Sequence, residues 1–567
     1  MTRFRWVACQ LDILAKCSNL SKLRKALHTL PRTLEETYNR ILLNVDEELR
    51  EETLKLLQWL AFSARPLALA EMAEVFAIDG STPTPRFDPD QRPRDPRDLL
   101  DLCSSLVSIS DIIPRDSHGD PLDLMPDSVS QSGIISLAHL SVKEYLTSNQ
   151  AKYSSISYFH LNKKLAETAM SRDCLAYLLQ FDTINCLERC TEATVSFGCY
   201  AAEFWINHAR SEDGSIENNV YPLIRSLLTP KSGHFINWIE LFDIDNQFEQ
   251  SAPAHPLYYA SQMGLDNIVG QLLLDCNPNV MGERYGSALA SASYGGHETT
   301  VRLLLENGAN VNMKGGNYGS ALTSAAYGGH EAVVRLLLKS GADVNMVDGE
   351  YSTALVCASW RGYETIARLL LESGANVNLS GEFGSALECA SYEGHAGITQ
   401  LLLDNGAVVN VANGRYGCAL ACASLKGHES VIRQLLEHGA DVNLVGGYYD
   451  SPLASASWGG QEAIVRLLLE CGADVNLAKG GYGSALAAAV WHNSHEKPLH
   501  RNELTRKNIV QLLLEKGVQV NLKDQHGCTA LMHASKNSYE DIVTLLVENG
   551  ADPGDIESAY PIHWPWY

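Results

Sequence analysis

Tyr285-Gly-Ser-Ala-Leu-Ala-Ser-Ala-Ser-Tyr-Gly-Gly-His-Glu298, followed by the apolar run Val301-x-Leu-Leu-Leu305 and then Asn307-Gly-Ala-Asn-Val-Asn312, is the phrase on which this chain is built. Its anchoring leucine returns as Leu257, Leu289, Leu322, Leu355, Leu387, Leu420, Leu453, Leu486 and Leu531, at spacings of 32, 33, 33, 32, 33, 33, 33 and 45. Each unit reads as a Gly/Asn/Asp turn, a short helix with Ala-Leu-x-x-Ala, and a longer helix with a leucine stripe. Gly308, Gly341, Gly374, Gly406, Gly439, Gly472, Gly517 and Gly550 follow the second helices, where a left-handed residue ends a helix. Such units bury their apolar faces only between neighbours, so the C-terminal half is a solenoid.

A period near 33 with this turn–helix–helix order is that of ankyrin repeats. The usual Thr-Pro-Leu-His string is here mostly Ser-Ala-Leu-Ala, as at Ser287–Ala290 and Ser484–Ala487. The serine keeps the helix cap. The histidine bond is lost, and packing is expected to compensate. Cys357, Cys389 and Cys422 share one repeat position with Ser291, Ser324 and Ser455, which reads as a small packed site.

Two aromatic columns run through the repeats. Tyr285, Tyr318, Tyr351, Phe383, Tyr416, Tyr449 and Tyr482 sit one per turn. They read as a ladder that holds the turns in register. Tyr294, Tyr327, Trp360, Tyr392, Trp458 and Trp491 follow the first helices. In ankyrin proteins that position faces the concave groove, and exposed Tyr and Trp are typical interface anchors. These six are the candidate partner-binding residues, with ring-on-ring packing as the competing reading.

The 567 residues carry a net charge of −23 and have a pI near 5.2. No Lys/Arg block is present, so nucleic acid is not the expected partner. No stretch of about 18 apolar residues exists, which excludes membrane insertion by a helix, and no signal peptide is expected. The 14 cysteines include no C-x-x-C pair, in keeping with a reducing compartment, the cytoplasm or the nucleus. No catalytic, cofactor or metal site is expected. In His495-Glu-Lys-Pro-Leu-His500 the histidines are five apart, and Pro498 would break the helix that a zinc pair needs. That string lies in an insertion, residues 492–506, which lengthens one unit by twelve.

Ahead of the repeats, Thr33-Leu-Glu-Glu36 is a capping box that opens a helix. Two more helices are expected near residues 53–61 and from Leu69 to Asp79. Residues 79–98, with five prolines and charges of both signs, form a loop. Helix is expected again at Leu99–Leu106. Apolar alternation at Leu106–Ile113 and Ile134–Leu140 predicts a long-winged hairpin. The expected architecture is mainly α. Residues 31–150 are a winged-helix-like domain and 151–250 a helical connector docking onto the first repeat. Residues 251–567 are the ankyrin repeats, about nine. The terminal Ile562-His-Trp-Pro-Trp-Tyr567 resembles the start of a further unit cut short.

The strings Phe4-Arg-Trp-Val-Ala-Cys-Gln-Leu-Asp12, Leu30-Pro-Arg-Thr-Leu-Glu-Glu-Thr-Tyr-Asn-Arg-Ile-Leu42, Asp98-Leu-Leu-Asp-Leu-Cys-Ser-Ser-Leu-Val107, His139-Leu-Ser-Val-Lys-Glu-Tyr-Leu146 and Tyr200-Ala-Ala-Glu-Phe-Trp-Ile-Asn-His-Ala209 resemble the fungal NACHT–ankyrin proteins, NLR-like signal-transduction ATPases. The resemblance implies that residues 1–30 are the C-terminal remnant of a NACHT module. It also implies a role in nonself recognition or programmed cell death, as the sensor half of such a receptor. The family's ATPase core carries G-x-x-x-x-G-K-[ST], whose backbone cradles phosphate, and no such string occurs in this sequence. The chain is therefore expected to be no enzyme by itself. A NACHT ATPase is either a partner or a missing N-terminal domain. An ankyrin adaptor or scaffold is the further alternative. His139 falls near a nucleotide-sensing histidine of relatives; the other reading is a buried or capping histidine.

Overall fold

Thr33 opens the first well-defined helix, its hydroxyl accepting from the Glu36 N–H at 3.1 Å. In the computed structural model this is α1, Leu34–Leu43, followed by α2, Arg50–Phe62, and α3, Leu69–Phe76. The structure describes residues 19–20, 24, 30–31, 33–79, 85–103, 105–110, 133–184, 186–187, 190, 192–210, 216–242, 253–282, 284–349, 353–412, 414, 417–447, 451–478, 483–491, 503–524 and 526–554. The string at 4–12, most of the insertion and residues 562–567 lie outside them.

Strand β1, Leu67–Ala68, leads directly into α3. A short antiparallel pair follows, β2 at Ile78–Asp79 with β3 at Arg86–Phe87. The expected helix at Leu99–Leu106 is instead a 3-10 turn, Pro96–Leu100, with Asp95 capping Arg97. Proline at its first position fits a helix start, and five residues suit the tighter helix. Then β4, Val107–Ser110, pairs antiparallel with β5, Ile134–Leu137, in the register Val107↔Leu137 to Ser110↔Ile134. The sheet order is β1-β5-β4. The last strand thus lies between the other two, with α1 to α3 placed before β4 in the chain.

Helices α4 (Leu140–Leu146), α5 (Asn149–Lys152), α6 (Lys163–Leu178), α7 (Glu192–Ala209), α8 (Tyr221–Leu227) and α9 (Gly233–Phe242) follow. His139 is the N-cap of α4, its Nδ1 accepting from the Ser141 N–H at 3.1 Å. That is the capping role. The sequence suggests a boundary near 150, but the structure joins both sides of it into one compact unit, residues 1–256. The reason is a shared aromatic core. Trp59 of α2 meets Phe197 and Tyr200 of α7, each at 5.8 Å between ring centroids, and its Nε1–H donates to Asp173 of α6. The buried pair Arg65–Glu71 closes the same core: two 2.9 Å bonds join them, and Glu71 also accepts from the Ala68 N–H and the Ser196 hydroxyl.

Residues 257–567 form the second unit. Nine helix pairs are described, from Pro256–Gln262 with Asp266–Leu272 to Ala530–Lys536 with Glu540–Glu548. First helices pack on first helices of the next repeat, and second helices on second. Alanines at the contact, such as Ala288, Ala292, Ala325 and Ala358, are fully buried. Serine or threonine caps each first helix from Ser287 to Thr529, with Cys418 the exception. Burial pushes the Cys357, Cys389 and Cys422 thiols well up, so they are inert packing groups.

The lost histidine bond is replaced by more than packing. His297, His330, His395 and His428, each preceding a second helix, bond through Nε2 to the carbonyls of Gln262, Tyr294, Trp360 and Tyr392 one repeat earlier. A second rail is asparagine. Asn345 accepts from the Asn376 N–H and donates to the Gly374 carbonyl, and Asn312, Asn378, Asn410 and Asn443 repeat the arrangement. Asn476 still reaches the Gln519 N–H across the insertion, so the added residues leave the register intact. Part of the insertion lengthens the second helix of that unit, Glu503–Glu515, to 13 residues against nine in its neighbours.

Candidate aromatic binding strip

The histidine clamps hold three of the six candidate residues by their own carbonyls: Tyr294, Trp360 and Tyr392. Their backbone is thereby tied to the next repeat. From this base the two aromatic columns meet and form one strip. Tyr285 lies 4.5 Å from Tyr294 and stacks on Tyr318 at 5.8 Å. Tyr318 lies 4.7 Å from Tyr327, and Tyr294 stacks on Tyr327 at 6.3 Å. Trp360 lies 5.8 Å from Phe383 and stacks on Tyr392 at 5.7 Å. Centroid separations of this size are those of favourable ring pairs. The turn positions Tyr351, Tyr416, Tyr449 and Tyr482 lie outside the described residues.

The strip is not uniform in depth. Tyr294, Tyr327, Trp360, Tyr392 and Trp491 are half-buried. Trp458 is only 4% exposed and forms a core cluster with Leu425, Ala454 and Ala488, against which Tyr392 and Trp491 pack. Its neighbours in the column are Leu425, an aliphatic residue where the earlier repeats carry rings, and Trp491. Trp458 is thus a packing residue, not an anchor open to a partner. Trp491 lies 4.5 Å from His533 and belongs to a local cluster in the last repeats.

Two cations stand on this strip that the sequence reading passed over. The Arg361 guanidinium lies 5.1 Å from the Tyr327 centroid, and the Lys426 ammonium 4.5 Å from that of Tyr392. Each is the residue after a column member or its equivalent, Trp360 and Leu425, and that adjacency is the signal that could have found them. A hydrogen bond that Arg361 donates to Tyr363, with the surrounding tyrosines, pushes its pKa above the ordinary arginine value and keeps it charged. The strip therefore presents flat apolar faces edged with fixed positive charge, a surface suited to side chains that combine an apolar body with an anionic end.

His428 makes the strip sensitive to acid. Burial lowers its imidazole below the ordinary 6.5, outweighing the Tyr392 carbonyl, which raises it. A folded-state pKa below the unfolded value means that the unfolded chain binds the proton first. The stability tied to neutral His428 is present above about pH 6.5 and is lost as pH falls below it. Thermal melts of the full chain should show this acid limb flattened in His428→Gln. An identical slope in both proteins would assign the limb to other groups.

The repeat unit matches the ankyrin-repeat family over residues 314–381, 386–479 and 482–556, with a second match over 289–338. The chain thus carries ankyrin repeats, which mediate protein–protein interaction. It is similar to azaphilone pigments biosynthesis cluster protein L of Monascus ruber, 32% identical over 319 residues. That match covers 52% of this chain and spans 63% of the relative's length. Ankyrin repeat domain-containing protein 63 of Mus musculus is 44% identical over 61 residues, 10% of this chain and 16% of that protein. A putative ankyrin repeat protein, FPV222, of Fowlpox virus is 41% identical over 56 residues, 10% of this chain and 8% of that protein. Among the described residues no helix is long and apolar enough to cross a membrane.

Proposed function

We propose that this chain is a non-enzymatic recognition protein of the cytoplasm or nucleus that binds a protein on the strip formed by Tyr294, Tyr327, Trp360 and Tyr392. The observation that carries this reading is the pair of half-buried ring stacks, Tyr294 on Tyr327 and Trp360 on Tyr392, in which the backbone of Tyr294, Trp360 and Tyr392 is clamped from the next repeat. Anchors that are ordered before contact lose little entropy on binding. Within this reading the first unit serves a receptor like the fungal NACHT–ankyrin proteins. Support comes from the strings at 30–42, 98–107 and 139–146, and from the sheet order β1-β5-β4 behind three helices, an arrangement that suits a winged-helix module. The nucleotide switch is then supplied from outside residues 1–567, since no phosphate-cradling string is present.

A second reading rests on the Monascus ruber relative, whose name places it in a pigment biosynthesis cluster. In that case the strip holds an enzyme of a biosynthetic pathway, and the chain is an adaptor. A photo-crosslinking residue at position 327 of the full chain, used in the native host, separates the two. Capture of a nucleotide-binding signalling protein supports the receptor, and capture of a biosynthetic enzyme supports the adaptor. Steady ATP turnover by the purified chain would contradict both.

A further inference from the structure

The last full repeat departs from its predecessors at several positions at once, and the departures converge. His533 stands two residues after Leu531, where the seven repeats from Leu289 to Leu486 carry Ser, Cys or Ala. Cys528 stands three residues before that leucine, where five of the seven carry glycine. Asp524 stands seven before it, where only Asp348 is acidic, and His526 five before it, where none is histidine. In an array of near-copies, independent drift has no reason to place Asp, His, Cys and His in one unit. It has still less reason to bring their side chains together.

The structure does bring three of them together. One ligand atom each from Asp524, Cys528 and His533 lies within 4.8 Å of the other two. All three residues are buried, at 7%, 1% and 5% exposure. Asp524 Oδ2 meets His533 Nε2 at 2.8 Å. The other oxygen, Oδ1, accepts from the N–H groups of His526 and Cys528, which fixes the carboxylate plane. Trp491 lies 4.5 Å from the His533 ring and 6.3 Å from that of His526, so an indole covers the cluster. Tetrahedral zinc with bonds of about 2.0–2.3 Å needs ligand atoms roughly 3.3–3.8 Å apart. The observed spread, from 2.8 Å to at most 4.8 Å, straddles that edge length and requires only small side-chain shifts.

The geometry points to a structural zinc site in this repeat, with Asp524, Cys528 and His533 as ligands and the fourth position left to a water molecule. A thiolate, an imidazole and a carboxylate, all buried, suit zinc, a borderline-soft ion with no redox chemistry. On binding, the Cys528 thiol proton leaves to solvent as the zinc–sulfur bond forms. The backbone bonds to Asp524 act as outer supports that orient a ligand. The ion ties the turn at 524–528 to the first helix at His533, so binding becomes folding free energy for the end of the array.

Cobalt(II) titration of the full chain, purified in the presence of a chelator and then freed of it, tests this directly. The expected result is one cobalt per chain, with the strong visible bands of a tetrahedral site and a thiolate-to-cobalt charge-transfer band. Zinc should displace the cobalt and raise the melting temperature of the array. Cys528→Ser, close in size to the native residue, should lose the charge-transfer band. Cys471→Ser, at an exposed cysteine, should keep it. His533→Ala and Asp524→Asn should each weaken binding at least tenfold, with circular dichroism confirming that both remain folded. A wild-type chain without the charge-transfer band, or a band that survives Cys528→Ser, overturns the proposal. An unchanged melting temperature in zinc does so as well, and would leave Asp524–His533 as a turn staple only.

Discussion

Arg65→Met is expected to destabilise the first unit by about 3–5 kcal/mol, the usual result of removing one partner from a buried ion pair. Glu71 is fully buried and Arg65 is 8% exposed, so without Arg65 a carboxylate stays in the core with no counter-charge. Its remaining partners, the Ala68 N–H and the Ser196 hydroxyl, are neutral donors. Against a total stability of about 5–15 kcal/mol for a typical domain, this loss takes a large share. Hydrogen exchange of peptides from residues 50–76 and 192–209 in the full chain should rise sharply, while repeat peptides stay protected. Adding Glu71→Gln should recover much of the loss, because the amide oxygen still accepts from Ala68 and carries no charge. A cost under about 1 kcal/mol for Arg65→Met would mean that water reaches Glu71.

The repeat unit was legible because its signals are local and repeated: a leucine every 33 residues, a serine cap, a glycine after each second helix. Periodicity at that density leaves one solution. The antiparallel hairpin was legible at its strands, since apolar residues recur through β4 and β5, but helix was expected at Leu99–Leu106, where the structure has a 3-10 turn, Pro96–Leu100, that begins in the stretch read as loop. The leucines of residues 99–106 fit either element, and the prolines that decide the matter lie just upstream. The joining of the first unit across residue 150 was illegible for a different reason. It depends on Trp59 meeting Asp173 and Phe197, each more than a hundred residues further along the chain, and no local pattern marks such contacts. The histidine clamps were visible as a Gly-His repeat, but a column of histidines does not say which carbonyl it reaches. Trp458 illustrates the limit for the strip. It shares its column position with Trp360, yet the two differ in depth because their partners one repeat away differ: Trp360 stacks on Tyr392, whereas Trp458 packs into a cluster with Leu425, Ala454 and Ala488.

Replacing Tyr327, Trp360 and Tyr392 together with serine is expected to reduce partner affinity at least a thousandfold. Hot-spot aromatics contribute about 2 kcal/mol or more each, and every 1.4 kcal/mol is about tenfold, so even partial additivity across three rings passes that mark. The same rings also hold one another. Tyr327 touches Tyr294 and Tyr318, and Trp360 touches Phe383 and Tyr392, with each ring pair contributing about 0.5–1.5 kcal/mol beyond its burial. A loss of a few kcal/mol in array stability therefore accompanies the loss of binding. Secondary structure should persist, because the serine caps, the asparagine rail and the buried leucines use none of these side chains. The control is Tyr327→Phe with Tyr392→Phe, which keeps the ring faces and removes the hydroxyls. If the strip binds through its faces, this control retains affinity and most of the stability. Arg361→Glu, a change at the strip's edge that leaves every ring in place, should weaken binding tenfold or more with little change in melting temperature. Calorimetric titration with the crosslinked partner, beside thermal melts of all four proteins, measures both effects. Unchanged affinity in the serine variant, with a lowered melting temperature, would show that the rings are only a packing ladder.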